Sequence, residues 1–326
     1  MLRIGALQSV MPCGVIRCTI VLNAEVGSML SRTCLSEMTY GCRARSTREQ
    51  GERMTIVVAL KVGDGLVLGA DSASTLFTTN GYHNSYFNTE KLMHIRGFPV
   101  GALTFGLGSL KNRSISSLAN DFKLRISSDD PNWSIDPANF TVEDIVQRFR
   151  RFFYDELYLD EFGDQPPPVD PMHDRDIMGF IIGGYSSSKG SAEVWRLILT
   201  RSGCEANMLV DANTPWECVW EGAREPIQRV LFGYSNQIME RLTQAGVPQD
   251  DAEQLLASME PLINGAMPIQ DAIDFVNYLI EVTCGYVRFS PGHMTVAKPV
   301  DLAAITKYNG FKWIQRKHYY PHGLNE

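Results

Sequence analysis

An α+β fold built on antiparallel sheets is predicted for this 326-residue chain by three observations. Two short apolar runs, Thr55–Val62 and Leu66–Asp71, flank Gly63-Asp64-Gly65 and read as a β-hairpin. The elements come in blocks (strands, helices, strands, helices, a closing strand) and do not alternate as βαβ units would. The apolar content of 44% at this length suits one large or two ordinary globular domains.

Element by element, Ser72–Asn88 is polar and reads as a rim loop, with Thr78-Thr79-Asn80-Gly81 at its tip. Lys91–Ile95 and Val100–Phe105 form a second strand pair around Arg96-Gly97-Phe98-Pro99. Gly106-Leu-Gly108-Ser109 opens a helical period through Leu110, Ile115, Leu118 and Phe122. Val142–Leu157 is amphipathic, with Ile145, Phe149, Phe152 and Phe153 on one side. The proline-rich run from Asp164 to Pro171 cannot continue a helix. Ile177–Gly184, Ala192–Leu199, Ala206–Val210 and Cys218–Trp220 are strand candidates. Helices are expected at Ile227–Ala245, Asp250–Met259 and Ile269–Cys284, and a last strand within Met294–Thr306. A C-terminal tail is expected from about residue 307; its aromatic residues, Lys312-Trp313 to Tyr319-Tyr320, pack on a neighbouring subunit or cover an exposed edge.

Residues 1–53 differ in kind, with seven Arg, no Lys and no clear period. They are read as a leader with three open explanations: a start codon placed too early, with Met54 the true start; a propeptide; or a targeting segment. The working protein is then a single domain over 55–326. The net charge of −7 comes without a basic cluster, which argues against a nucleic-acid partner. No apolar run approaches the roughly 20 residues that span a bilayer, so no membrane partner is expected. Four of the seven cysteines, Cys13, Cys18, Cys34 and Cys42, lie in the leader, and Cys204, Cys218 and Cys284 are scattered. That set gives no disulfide framework or zinc site and fits a reducing cytoplasm.

Thr55 carries the chemistry. Once Met54 is removed, one residue holds both a hydroxyl nucleophile and an α-amine base. The second strand of its hairpin ends on Asp71, and Lys91 begins the next strand pair. A lysine charge beside the amine lowers its pKa from about 7.7–8.0 and favours an ionised hydroxyl oxygen. Asp71 keeps the lysine charged and oriented. Gly106 lies at a strand-to-helix junction, where free amides point outward and can hold an oxyanion; Gly108 competes for that role.

These residues resemble the opening of a proteasome β subunit. The likeness lies in Thr55, the Gly-Asp-Gly turn, Ala70-Asp71-Ser72 and Asn88-Thr-Glu-Lys91-Leu-Met-His-Ile95. It resumes in Leu103-Thr-Phe-Gly106, in Asp271–Ile280 and in Pro299–Ile305. The resemblance implies a four-layer αββα sandwich, two antiparallel sheets between helical layers, of N-terminal-nucleophile hydrolase type. It implies peptide-bond cleavage by a threonine-type mechanism, no cofactor and no metal. The partners it implies are a peptide or unfolded protein, further copies of the chain in a ring or helical assembly, and an unknown unfoldase. Thr55, Asp71, Lys91 and Gly106 are the catalytic positions, supported by Ser235 and Ser290. Ser235 is equally well read as an N-cap. Val287 stands where the family has an aspartate before the second serine, and Met54 where self-processing members have glycine. A small-amide amidohydrolase of the same fold and a non-catalytic scaffold subunit remain alternatives.

Other constellations are weaker. The chain has no GxSxG elbow, and Gly106–Lys111 lacks the spacing of a phosphate loop or dinucleotide fingerprint. His173 with Asp170, Asp174 and Asp176 reads as a solvated loop before it reads as a metal site. His318 and His322 are separated by Pro321 and have no carboxylate nearby.

Overall fold

The computed structural model describes residues 55–77, 83–165, 177–256, 262–292 and 294–317. The leader, the Thr78–Gly81 loop tip, the His173 group and the His318/His322 pair lie outside the described residues. The fold is α+β, with antiparallel sheets and helices. One five-stranded sheet contains β1 (Ile56–Val62), β2 (Gly65–Ala70), β12 (Glu217–Gly222), β13 (Asp301–Thr306) and β14 (Gly310–Gln315), in the order β12-β1-β2-β13-β14. The second holds β5 (Leu92–His94), β6 (Val100–Gly106), β9 (Met178–Gly184), β10 (Glu193–Thr200) and β11 (Gly203–Val210), in the order β11-β10-β9-β6-β5. Every pairing in both is antiparallel.

Strand periodicity sorts the side chains into three cores. On β1, Val57 and Ala59 join Leu66, Leu68 and Ala70 of β2, Leu103 and Phe105 of β6, and Ile181 of β9 in one apolar cluster. That cluster draws on both sheets. Ile56, Val58 and Leu60 point the other way, onto Ile273, Val276 and Ile280 of α7 (Ile269–Phe289). Val100, Ala102, Phe180 and Ile182 pack with α1 (Ile115–Ile126) and α2 (Val142–Phe149). Each fully buried Phe or Ile contributes about 1.5–3 kcal/mol by leaving water.

Several expected elements take a different form. The Ser72–Asn88 loop contains a small hairpin of β3 (Ser74–Phe77) and β4 (His83–Tyr86). The helix expected from Gly106 is preceded by a two-residue hairpin, β7 (Ser109–Leu110) and β8 (Arg113–Ser114), and Ser114 then caps α1 through the Ser117 amide. Helix α2 starts in a Thr141–Asp144 capping box and passes at Arg150 into a π-helix, Arg150–Tyr158, followed by α3 (Leu159–Phe162). Phe152, Phe153 and Tyr158 are buried there against Phe122, Phe149 and Phe180. The single helix expected over Ile227–Ala245 is two, α4 (Arg224–Phe232) and α5 (Asn236–Gln244), because the chain breaks at Gly233-Tyr234. Helix α6 spans Gln249–Leu256. Gly310–Gln315 is strand, not tail: β14 pairs along β13, and Phe311 and Trp313 pack against the core that the two sheets share. Among the described residues no helix is long and apolar enough to cross a membrane, and no cluster of three His, Cys, Asp or Glu could hold a metal.

Candidate active site

Three strand ends meet at Thr55. The residue stands immediately before β1, and its main chain is held by Ala223, whose amide donates to the Thr55 carbonyl at 2.8 Å. Asp71 follows β2, which runs antiparallel to β1, so the hairpin brings Asp71 back beside Thr55. Lys91 precedes β5 in the other sheet, with the Thr104 amide donating to its carbonyl at 2.9 Å. The hairpin turn and sheet pairing thus assemble residues that the sequence keeps apart.

Asp71 is the hub. Its Oδ1 accepts from the Thr55 hydroxyl at 2.9 Å, the Ile56 amide at 3.0 Å and the Lys91 ammonium at 2.6 Å. Its Oδ2 accepts from the Ala73 amide at 2.8 Å and the Ala297 amide at 3.2 Å. The Lys91 ammonium also donates to Thr55 Oγ1. All three residues are buried, Asp71 fully and Thr55 to within 2%. Charge-assisted bonds in such a setting are shorter and stronger than neutral ones. Burial pushes the Lys91 amine below its ordinary value; the Asp71 carboxylate opposes that, and the nearby Lys317 charge adds to it. Cys284 of α7 sits behind the pair, and burial pushes its thiol up to about 12, which leaves it protonated at neutral pH.

A small cleft with about 390 Å³ of empty space, including its open mouth, is lined by Thr55, Lys91, Gly106 and Thr104 among others. Gly106 ends β6 with φ +83, and a Cβ there would lie 2.1 Å from the Ile177 carbonyl oxygen. Only glycine fits. Gly108 lines the same cleft. Ser235 and Ser290 are not among its lining residues. Ser235 precedes α5, buried, with its hydroxyl 3.4 Å from Glu225 Oε1. Ser290 closes α7, its hydroxyl donating to the Tyr286 carbonyl at 2.8 Å. Val287 packs into the core beneath α7, which explains an apolar residue at that position.

Two residues that sequence reasoning missed matter here. Gly222 ends β12 with φ +109, and a Cβ on it would fall 1.9 Å from the Thr55 carbonyl oxygen. No local signal marks it, since the constraint comes from a remote strand. Thr104 is 5% exposed, and among the described residues its hydroxyl has no hydrogen-bond partner. A threonine amid the apolar run of β6 was the available signal. Thr104→Val is therefore expected to raise stability by about 1 kcal/mol, since an isosteric apolar group removes an unmet bond. A lower denaturation midpoint for the variant would contradict this.

No protein-family model matches the chain, and no curated protein matches it. Among solved structures it is similar to an Anbu Gly-1 mutant from Hyphomicrobium sp. strain MC1, at 14% identity and TM-score 0.45. It is also similar to the structure titled the helical assembly of the Anbu complex from Pseudomonas aeruginosa, at 14% identity and TM-score 0.46. In both cases 82% of this chain and 89% of the other are covered. The proteasome β-subunit resemblance drawn from the sequence is corrected by these findings: the two structures named are of Anbu, and likeness at 14% identity assigns no family. The physical reason is that a threonine, a carboxylate and a lysine on three strand ends are short signals.

Proposed function

We propose that the protein hydrolyses amide bonds with Thr55 as nucleophile, cutting peptide substrates. The observation that carries this reading is the buried Lys91 ammonium donating to Thr55 Oγ1 while Asp71 takes both groups on one carboxylate oxygen. The positive charge of Lys91 beside the hydroxyl oxygen lowers the cost of ionising it. In a mature chain that begins at Thr55, the Thr55 α-amine takes the hydroxyl proton, directly or through a water, and the oxygen attacks the carbonyl carbon. The Gly106 amide steadies the oxyanion. The amine returns its proton to the leaving nitrogen, then activates the water that hydrolyses the ester. The core shared by the sheets and the two clusters on their other faces support a helix–sheet–sheet–helix layering for this domain.

The test has two parts. Mass spectrometry of the purified protein should find a chain beginning at Thr55, and a threonine-directed epoxyketone should add to it. Turnover on a peptide and small-amide panel should vanish in Thr55→Ala. Because Lys91 sits below the ordinary lysine value, the alkaline limb of the pH–rate profile should fall below 10.5, where loss of its charge ends the support of the oxyanionic Thr55. A mature chain starting upstream of Thr55, or turnover surviving in Thr55→Ala, sinks the reading.

A further inference from the structure

Another lysine with a covered side chain stands near the site. Lys317 follows β14, and its side chain is only 6% exposed. Its ammonium lies 2.7 Å from Oδ2 of Asp301, itself 1% exposed, and its backbone amide donates to Asp301 Oδ1 at 3.0 Å. The same ammonium donates to the hydroxyl of Ser72, the residue after Asp71. Ser72 is a junction. Its hydroxyl donates to the Pro299 carbonyl, and its amide to the Ala297 carbonyl at 2.9 Å. Its own carbonyl accepts from the Thr89 amide, two residues before Lys91, at 3.0 Å. The Ala297 amide completes the circuit on Asp71 Oδ2.

Two charges do not leave water for so little unless geometry requires it. Burying an ion pair brings at most modest stability, and its attested use is to fix one arrangement against others. Here that arrangement is the turn that carries Asp71 and the strand that leads into Lys91. Lys317 lines no part of the cleft, so it does not touch a substrate there. We propose that Lys317 is a positioning residue: seated on Asp301 and Ser72, it fixes the Asp71 turn and so holds Asp71 and Lys91 in register with Thr55. The inference rests on the function proposed above only for its kinetic consequence. The charged and titratable groups facing Lys91 are Asp71, Lys317 and Cys284, and the Lys317 charge disfavours a proton on Lys91.

The experiment compares Lys317→Met, Lys317→Arg and the paired Lys317→Met/Asp301→Asn with the parent protein. The paired variant leaves no lone buried charge and serves if the single one does not fold. With a substrate from the panel, kcat in the methionine variants should fall by about 100-fold, the cost of small misplacements made far from the chemistry. KM should stay unchanged, and Lys317→Arg should recover most of the rate. In 13C-lysine NMR, with the Lys91 signal assigned through Lys91→Arg, Lys91 should titrate at higher pH in Lys317→Met than in the parent. Folded methionine variants with parental kcat and an unmoved Lys91 titration overturn the proposal. If the parent protein neither turns over substrate nor takes the epoxyketone, the proposed function fails, and the NMR comparison still decides whether Lys317 governs the Asp71–Lys91 pair.

Discussion

Replacing Asp71 by alanine is expected to abolish turnover and lower the unfolding free energy by about 3–5 kcal/mol. Asp71 is fully buried and accepts from one hydroxyl, one ammonium and three backbone amides. Its removal leaves the Lys91 ammonium buried with no carboxylate and strands the amides of Ile56, Ala73 and Ala297. The uncompensated charge dominates, because an unpaired ion costs more than any single lost neutral bond. Asp71→Asn keeps an acceptor oxygen but loses the charge, so it should fall between the two in stability and stay without turnover. Urea unfolding followed by circular dichroism measures the first effect, and the peptide panel the second. A loss below about 1 kcal/mol for Asp71→Ala would mean that solvent reaches Lys91 and that the buried triad is misjudged.

The second large effect is expected at Gly222. A methyl group there would meet the Thr55 carbonyl oxygen at 1.9 Å and its Cγ2 at 3.1 Å, on a backbone with φ +109. Thr55 must move, since the obstructing atom is main chain and is held by the Ala223 amide. If Thr55 acts as proposed, Gly222→Ala should therefore reduce kcat by about 100-fold through displacement of Thr55. The stability cost should be about 1–3 kcal/mol, the usual range for overpacking. Steady-state kinetics beside a thermal melt separates the two. A variant with the parent's kcat would show that Thr55 does not need this seat.

The meeting of Thr55, Asp71 and Lys91 was easier to read in the sequence than the residues that surround them. Thr55, Asp71 and Lys91 were legible because each breaks an apolar strand pattern at a strand end, where a polar side chain needs a reason. The strand blocks were legible for the same reason of period. Gly222 was not, because its role depends on two strands meeting. Ser235 and Ser290 were placed by resemblance: the Ser290 hydroxyl bonds back to the Tyr286 carbonyl of its own helix, whereas Ser235, at the start of α5, makes no side-chain cap bond and faces Glu225. The break at Gly233-Tyr234 was hidden by an apolar period that runs on across it. Strand β14 carried a signal that went unread: Asn309-Gly310, a strong hairpin dipeptide, sits at its start. The π-helix leaves no trace in a 3.6-residue pattern, since the same aromatics satisfy both readings.

The contacts that complete the site are very long-range, and this fixes when the site exists. The Asp71–Ala297 bond joins residues 226 positions apart, and the Ser72–Lys317 bond joins residues 245 apart. A ribosome adding roughly 5–20 residues per second separates the synthesis of Ser72 from that of Lys317 by more than ten seconds. During that interval the growing chain comes to hold Thr55, Asp71 and Lys91, but lacks the segment that closes the circuit around them. Such distant pairings also form late in folding, after the local hairpins. Topology therefore sets an order of assembly: the Asp71–Ala297 and Ser72–Lys317 bonds close only once the last strands have been made.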